Sequence, residues 1–253
     1  MATLEVLHAA ILASPDDEDR RLAYADAVAA SDIARAELIT LQVTLTRWRK
    51  EHNNPPNRPA ASSRAVELIE KYGPKWAATI DAKVDGWSFV RGFVEMITID
   101  AARFLATAAE LYGLAPILHL DLTNVKPVAA QLFASPHLAR IQSLQLRQNA
   151  LGDAEAVLLA SSPQLGALRW LGLSNNAIGA AGIDALAASA RLPRLGYLDF
   201  RWNAVADPTP PDADEYSADT LAATALQTKY GTRPWLTAKP RFQWPPERDA
   251  VDG

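Results

Sequence analysis

The chain has no cysteine, and this absence removes three classes of chemistry together. Without thiols there is no disulfide, no cysteine nucleophile and no cysteine-based metal site. The four histidines, His8, His52, His119 and His137, are far apart and show neither zinc-protease spacing, H-x-x-x-H or H-E-x-x-H. Glycine-rich phosphate loops and the G-x-S-x-G nucleophile elbow are missing too. We therefore expect no cofactor, no metal and no enzymatic activity.

Long apolar runs and an excess of positive charge are also missing. No run reaches the roughly 18 residues that a transmembrane helix requires, and the N-terminus lacks the basic start and apolar core of a signal peptide. The formal net charge is −4, which disfavours nucleic acid as a partner of the chain as a whole. We expect a cytoplasmic protein that binds no membrane and no small-molecule substrate. Its 253 residues can bury a substantial core in one or two domains.

What the chain does contain is an asparagine at regular intervals. Asn149, Asn176 and Asn203 are 27 residues apart. Each closes the pattern L-x-x-L-x-L-x-x-N-x-L, with Ile, Phe or Val in place of some leucines. The three segments are 141–151, 168–178 and 195–205. A period of this size is typical of a repeat protein whose surface binds a partner.

The residues of the pattern predict a strand, a turn and a helix in each repeat. Leu144 and Leu146 alternate with polar residues, which indicates a strand with one buried face. Such short strands gain stability by stacking into a parallel sheet. Each Asn amide can bond to the backbone of its own turn and the next turn. Ala- and Leu-rich helices should follow at about 153–161 and 180–191, with Asp153 as the N-cap of the first.

This pattern resembles the leucine-rich repeat family, of the ribonuclease-inhibitor-like kind, and 176–186 is similar to the turn and helix of that subclass. A degenerate copy at 117–125 has Val125 at the asparagine position. The strand 93–97 and a helix at 101–112 are interpreted as an N-terminal cap. The resemblance implies an α/β fold: a leucine-rich repeat solenoid, with a parallel sheet and helices on its convex side, preceded by an α-helical N-terminal domain.

Residues 3–50 are predicted to form three helices, the second at 20–30 and the third at 33–50. The segments 10–26 and 35–42 resemble the bacterial repeat-companion domain, which is found beside leucine-rich and other repeats. The matching residues are Pro15, Asp17, Arg21, Leu22, Tyr24, Ala25, Asp26, Arg35, Ala36, Glu37, Ile39 and Gln42. Ala27-Val28 departs from the Trp-Leu of that family, whereas 91–95 is similar to it. The resemblance implies an architecture and no activity.

The remaining segments complete the expected organisation. We predict a loop at 47–63, a helix at 64–72 closed by Gly73-Pro74, and a last helix at 216–230 stopped by Gly231. The expected domains are a helical repeat-companion-like domain at 1–80, the solenoid with its cap strand and C-terminal helix at 81–236, and a flexible tail at 237–253.

The predicted function is to recognise another protein through the concave sheet face. Residues that alternate with the buried leucines should point to water on this face. Trp170 and Tyr197 share one phase of the repeat and Arg147 and Arg201 share another, and these residue types often dominate interface energy. The candidate partner-binding residues are Glu95, His119, Asp121, Gln145, Arg147, Trp170, Tyr197, Asp199 and Arg201.

Two other functions stay open. An accessory or regulatory subunit of an enzyme complex could have a polar site where the helical domain meets the first repeat, built from Arg35, Glu37, Glu95 and His119. Nucleic acid could bind to the basic segment 47–58. For Arg21, Asp26, Arg35 and Glu37, we expect a structural ion-pair network between helices, and a polar functional site is the alternative.

Overall fold

The computed structural model describes residues 2–204 and 221–237. Its helices are α1 (Leu4–Ala13), α2 (Glu18–Val28), α3 (Ile33–Lys50), α4 (Arg58–Asp81), α5 (Ala101–Leu114), α6 (Ala129–Ala134), α7 (Asp153–Ser161), α8 (Ala180–Ala188), α9 (Leu221–Tyr230) and α10 (Pro234–Thr237). Its strands are β1 (Gly86–Val90), β2 (Phe93–Asp100), β3 (His119–Thr123), β4 (Ser143–Gln145), β5 (Trp170–Gly172) and β6 (Tyr197–Asp199). The described residues divide into two units, the first with 2–97 and 109–118 and the second with 98–108, 119–204 and 221–237.

The three predicted N-terminal helices are confirmed as α1, α2 and α3, and side-chain caps fix their starts. Thr3 accepts a hydrogen bond from the Val6 amide, Asp17 from two amides at the start of α2, and Asp32 from the Arg35 amide. Each cap satisfies a main-chain donor that the first helical turn leaves unpaired. Asp17 places the start of α2 two residues before the predicted one.

Helix α4 corrects two predictions, because it covers both part of the predicted loop and the predicted stop at Gly73-Pro74. Pro59 at the first turn suits a helix start. Gly73 is buried, and a Cβ there would lie 3.3 Å from the Trp87 ring. The glycine thus allows α4 to pack closely against that ring, and this packing outweighs the cost of Pro74 inside the helix.

A β-hairpin was not predicted before the cap strand, and it organises the first unit. Two residues, Arg91 and Gly92, join β1 to β2 with φ values of 48° and 82°. Positive φ at both positions is typical of a type I′ turn. A Cβ on Gly92 would lie only 2.4 Å from Ile39, so the turn packs directly on α3. Gln42 holds it there, accepting from the Gly92 amide and donating to the Phe89 carbonyl.

The six strands form one mostly parallel sheet in the order β1-β2-β3-β4-β5-β6. The strands β3 to β6 pair in parallel, and the register aligns Leu120, Leu144, Leu171 and Leu198. All four leucines are buried, as the alternation of apolar and polar residues predicts. The predicted helices at 101–112, 153–161 and 180–191 are confirmed as α5, α7 and α8, with ends shifted by a few residues.

Each asparagine of the repeat joins two successive turns. The Asn176 side-chain oxygen accepts hydrogen bonds from the amides of Asn149 and Leu151, each at 3.0 Å. Its amide group donates to the carbonyls of Leu146, at 3.0 Å, and Leu173, at 2.8 Å. Asn149 and Asn203 repeat this arrangement. These hydrogen bonds reach the preceding turn, whereas the predicted bonds were to the next turn.

Asp153 acts one repeat later than predicted. Gly152 is the N-cap of α7, and the Asp153 carboxylate instead accepts hydrogen bonds from the amides of Gly179 and Gly182, at the start of α8. A Cβ on Gly182 would lie 2.7 Å from that carboxylate and 2.9 Å from Ala156. The two consecutive helices are therefore joined through a carboxylate that only a glycine backbone can approach.

A second periodic residue escaped the sequence analysis. Ser135, Ser162 and Ser189 have the same spacing as the asparagines and form the C-caps of α6, α7 and α8. The Ser162 hydroxyl donates to the Phe133 carbonyl and the Ser189 hydroxyl to the Ala160 carbonyl. A serine thus ties each helix end to the one before it, on the opposite side of the repeat from the asparagines.

At the end of the second unit, the described residues 221–237 agree with the prediction from the sequence. Gly231, at φ 78°, follows α9 as predicted. The Trp235 ring is buried and meets Phe200 edge-on at 6.5 Å, so it covers the last repeat. Residues 207–214, which the sequence predicts as a proline-rich loop, the first part of the predicted last helix and the predicted tail from 238 lie outside the described residues.

The asparagine bonds generate a first prediction. Asn176→Ala removes a side chain that pairs four main-chain groups in partly buried surroundings. We expect unfolding to become easier by about 1–3 kcal/mol. Urea denaturation followed by circular dichroism measures the change. Asn53→Ala, in an exposed turn, is the control and should change stability by less than about 0.5 kcal/mol. Equal midpoints for the two variants would contradict the structural role of Asn176.

Candidate functional site

The sheet face formed by β3 to β6 brings most of the predicted binding residues into two rows. One row contains His119, Ser143, Trp170 and Tyr197, and the other contains Asp121, Gln145, Gly172 and Asp199. The rows alternate with the buried leucines and therefore lie on one face. Thr123, Arg147, Ser174 and Arg201 follow at the ends of the strands.

Trp170 and Tyr197 are neighbours, as their shared phase predicts. Their ring centroids are 5.6 Å apart, and the ring planes are inclined by only 12°. A Cβ on Gly172 would lie 2.5 Å from the Trp170 ring, so the indole lies flat over this glycine. Trp170 is only 6% exposed as a result, and the half-buried Tyr197 covers it. Tyr197, and not Trp170, therefore presents aromatic surface to a partner.

Arg201 is held in place at the end of β6. Its guanidinium makes two hydrogen bonds with the Asp199 carboxylate, at 2.7 and 2.8 Å. It also lies 4.9 Å from the centre of the Trp202 ring. Trp202 is 60% exposed and has φ 55°, a conformation that most side chains disfavour. Tyr197, Arg201 and Trp202 are called the β6 cluster below.

Asp121 brings a half-buried carboxylate to the same face. Burial raises its pKa above the ordinary value, while the charge of Arg147 and a hydrogen bond from Thr98 act in the opposite direction. Arg147 itself is exposed. The face thus carries charges of both signs on the side of β3 and β4, at the other end of the strand order from the β6 cluster.

Several candidate residues are not where the sequence analysis placed them. His119, Trp170 and Asp199 are buried, although alternation with the leucines predicted that they face water. Tyr197 stacks on Trp170 and Arg201 pairs with Asp199, and strand alternation alone does not reveal such contacts. Asp121, Gln145 and Arg201 are partly exposed, and Arg147 is exposed.

Glu95, expected on the binding face, is instead fully buried in the first unit. Its carboxylate lies 2.9 Å from the Arg21 guanidinium and bonds to the Arg91 guanidinium through both oxygens. Arg21 also donates to the Arg91 carbonyl and to the Pro15 carbonyl. Since a buried carboxylate needs both charge and hydrogen bonds as compensation, this cluster joins α2, the hairpin turn and β2.

The polar residues of α2 and α3 do not form one network. Arg21 pairs with Glu95, Glu37 pairs with Arg64 at the surface, and Asp26 is exposed. Arg35 contacts three aromatic rings instead of a carboxylate side chain. The expected ion-pair network among these four residues is therefore wrong. Glu37 lies apart at the surface, whereas Arg35 shares the Phe93 ring with Arg21, the partner of Glu95.

The basic segment is partly neutralised by acidic residues at the start of α2. Arg47 pairs with Glu18 at 2.8 Å and with Asp19 at 3.1 Å, and Lys50 pairs with Glu18 at 2.7 Å. These cations, with the side-chain hydrogen bonds they donate, hold the pKa of Glu18 below its ordinary value despite partial burial. A phosphate would have to compete with these carboxylates, which weakens the case for nucleic acid here.

Neither metal clusters nor membrane-spanning helices occur in the described parts of the chain. No three His, Asp or Glu side chains there are grouped as a metal site requires. None of the helices described has the length and apolar character needed to cross a membrane. Comparison with protein-family models, with curated proteins and with solved structures finds no match for this chain.

Trp202 is the site residue that sequence reasoning missed. Trp202 directly precedes Asn203. Gln148 and Asn175, which precede the other two asparagines of the repeat, have positive φ as well. The sequence did contain a signal for this residue. A large aromatic side chain occupies a position of the repeat where the backbone conformation favours Asn or Gly.

The Glu95 cluster leads to a second prediction. Glu95→Gln keeps the shape of the side chain but removes the negative charge that pairs with the buried Arg21 and Arg91, and leaves Arg91 with the more distant Asp16 carboxylate at 3.5 Å. Removing one partner of a buried pair costs about 3–5 kcal/mol, so we expect a large fall in the free energy of unfolding. Glu37→Gln breaks the exposed pair with Arg64 and should cost about 1 kcal/mol or less. Denaturant titrations of both variants give the comparison, and similar losses would refute the role of Glu95.

Asp121 leads to a prediction on pH. Because its folded-state pKa is raised, the native protein holds this proton more tightly than the unfolded chain. Ionised Asp121 therefore destabilises the fold at pH 7, and the penalty disappears as the pH falls through the raised pKa. Asp121→Asn should raise the melting temperature at pH 7, by an amount that shrinks towards pH 4.

Asp100→Asn is the control of opposite sign. Hydrogen bonds from Asn124 and from the amides of Arg103 and Ala102 lower the pKa of Asp100, so its ionised form favours the native state. Its replacement should lower the melting temperature at pH 7, with a loss that fades as the pH falls. Parallel pH dependences for the two variants would show that burial does not control Asp121.

Proposed function

We propose that this chain is a leucine-rich repeat protein with a repeat-companion domain at its N-terminus, and that the face of β3 to β6 binds another protein. Support for the class comes from the 27-residue period and from asparagines that pair the main chain of successive turns. Support for the function comes mainly from one observation, the β6 cluster, in which exposed aromatic surface and a fixed arginine lie side by side.

The β6 cluster has the properties of an interface anchor. Its three residue types, Tyr, Arg and Trp, are those that most often dominate binding energy. Arg201 is held by Asp199 and by the Trp202 ring, so little side-chain freedom is lost on binding. Trp202 is 60% exposed, and this exposure of an indole to water is unfavourable unless a partner covers it.

The charges elsewhere on the face of β3 to β6 define what else the partner must present. Arg147 is exposed, and Asp121 keeps a carboxylate on the face at some cost in stability. A residue that lowers stability is expected where function requires it. The complementary surface would combine an apolar or aromatic patch with one acidic and one basic group. A phosphate backbone fits this face less well because Asp199 already neutralises Arg201.

The accessory-subunit alternative gains no specific observation. Within the first unit, Arg35 contacts aromatic rings, Glu37 pairs with Arg64 and Glu95 pairs with Arg21, while His119 is buried in the second unit. We therefore keep the recognition of a partner protein as the function that the geometry supports best.

Photo-crosslinking in the native host tests this proposal. A photoreactive amino acid replaces Arg147, which is exposed on the strand face, or Val157, which is 48% exposed on α7. We expect one dominant crosslinked protein from position 147 and no crosslink to it from position 157. The reverse pattern would place the binding surface on the helices.

The affinity for the crosslinked partner then separates anchors from bystanders. The double variant Arg147→Ala/Trp202→Ala removes exposed side chains only, so the fold should remain intact. Binding should weaken by more than about 2 kcal/mol if these residues are anchors. Val157→Ala/Arg191→Ala, a matched pair of exposed positions outside the strand face, should bind like the wild type. An unchanged affinity of the first variant would overturn the proposed site.

A further inference from the structure

The first unit contains a cavity that the proposed function does not use. Its volume is about 370 Å³, within the range of small-molecule sites. Helices α1, α2, α3 and α4 contribute to its wall, together with β2 and the end of α5. Much of the lining is apolar, with Leu4, Val28, Ile80, Val94 and Leu114 among its residues.

A buried arginine lines this cavity. Arg35 is only 9% exposed, and its guanidinium lies 5.0–5.1 Å from the ring centres of Trp76, Phe89 and Phe93. Its Nη1 atom is buried and has no hydrogen-bond partner among the described residues. Rings stabilise the charge through their faces, but they do not accept hydrogen bonds in the guanidinium plane as a carboxylate does.

The surrounding groups leave this cation only partly balanced. Both Asp32 oxygens already accept hydrogen bonds, one from the Arg35 amide and one from the Trp76 indole N–H at 2.9 Å. The nearby Arg21 is paired with Glu95, and Glu5 is exposed at the cavity wall. Burial lowers the pKa of Arg35 to about 10, which leaves it charged at neutral pH. Burial and the charge of Arg35 lower the pKa of His8, which keeps this histidine neutral there.

We propose that this cavity binds a monocarboxylate carried on an aromatic or branched apolar group, with the carboxylate paired to Arg35. Arg35 lines the cavity and supplies the charge, and its covered Nη1 donates to the carboxylate when the side chains around it adjust to the ligand. The apolar wall with Trp76 and Phe93 holds the body of the ligand. A dianion fits less well because the cavity offers one unpaired cation beside Asp32. The ligand could be a free acid or the C-terminal residue of a peptide, since both present the same chemistry. This site belongs to the first unit and is independent of the proposed partner-binding face.

Calorimetric titration of the full chain with 3-phenylpropionate tests the proposal, and 3-phenylpropionamide is the uncharged control ligand. We expect the acid to bind at least about tenfold more tightly than the amide, as expected for a hydrogen-bonded charge pair. Phenyl phosphate should bind more weakly than the acid. Equal affinities for acid and amide, tighter binding of phenyl phosphate, or no heat up to about 10 mM would each overturn the proposal.

Arg35→Met tests the pairing itself. Methionine keeps much of the packing against the rings and removes a buried charge that has no paired carboxylate side chain, so the melting temperature should stay the same or rise. The acid should lose its advantage over the amide in this variant. Arg64→Met, at the surface of the same unit, should bind both ligands like the wild type. Retained preference for the acid in Arg35→Met would overturn the assignment.

A second variant keeps the test valid if Arg35→Met does not fold. Thr79 is exposed at the cavity wall, so Thr79→Trp should narrow the cavity without touching the arginine. We expect weaker binding of both acid and amide, and unchanged binding would move the ligand elsewhere. A peptide ending in a free phenylalanine carboxylate, compared with its amidated form, distinguishes the sources. Tighter binding of the free-ended peptide than of 3-phenylpropionate identifies a peptide terminus, and weaker binding identifies a free acid.

Discussion

The arrangement of the second unit depends on how one carboxamide side chain satisfies the main chain of two turns. Main-chain hydrogen bonds join successive turns at some positions, such as Ala177 to Leu151, and leave other amide and carbonyl groups to be paired by side chains. Asn176 pairs such groups with an oxygen that accepts from one turn and an amide that donates to both. Aspartate has no donor and leucine has neither group, so the position accepts little else. Stacking at a fixed repeat length follows from this requirement.

The same requirement explains the backbone next to the asparagines. The residue before the asparagine position of each repeat has a φ between 53° and 59°. These residues are Asn124, Gln148, Asn175 and Trp202. The chain must turn sharply there to aim the carboxamide back at the preceding turn. Asn tolerates this conformation best, and Gln or Trp adopts it at a cost of about 1 kcal/mol or more. In the first unit, Glu95 has a comparable role, because one buried carboxylate fixes α2, the hairpin turn and β2 together.

The sequence predicted what local patterns encode and missed what distant contacts decide. Alternating leucines located the strands, and Asp17, Asp32 and Thr3 mark helix starts by chemistry that a short window contains. The continuation of α4 through Pro74 depends on the Trp87 ring, which no window around Pro74 includes. The predicted exposure of residues on the sheet face was partly wrong for a similar reason. Alternation gives the side of the sheet, but Gly172 decides whether Trp170 stands upright or lies flat. The periodic serines, by contrast, were predictable from the sequence, because they recur at the same spacing of 27 residues as the asparagines.

Three residues depart from what stability alone would select, and they coincide with the two proposed sites. Asp121 keeps a carboxylate where burial opposes its charge, and Trp202 places an exposed indole at a strained backbone position. Arg35 keeps a cation among three rings where methionine would fill the space. Buried or strained groups of this kind persist when something outside the folding free energy requires them. The repeat asparagines and the Glu95 carboxylate are hydrogen-bonded within the chain through both of their polar ends. At Asp121, Trp202 and Arg35 the partner is incomplete, and an external ligand or protein would complete it.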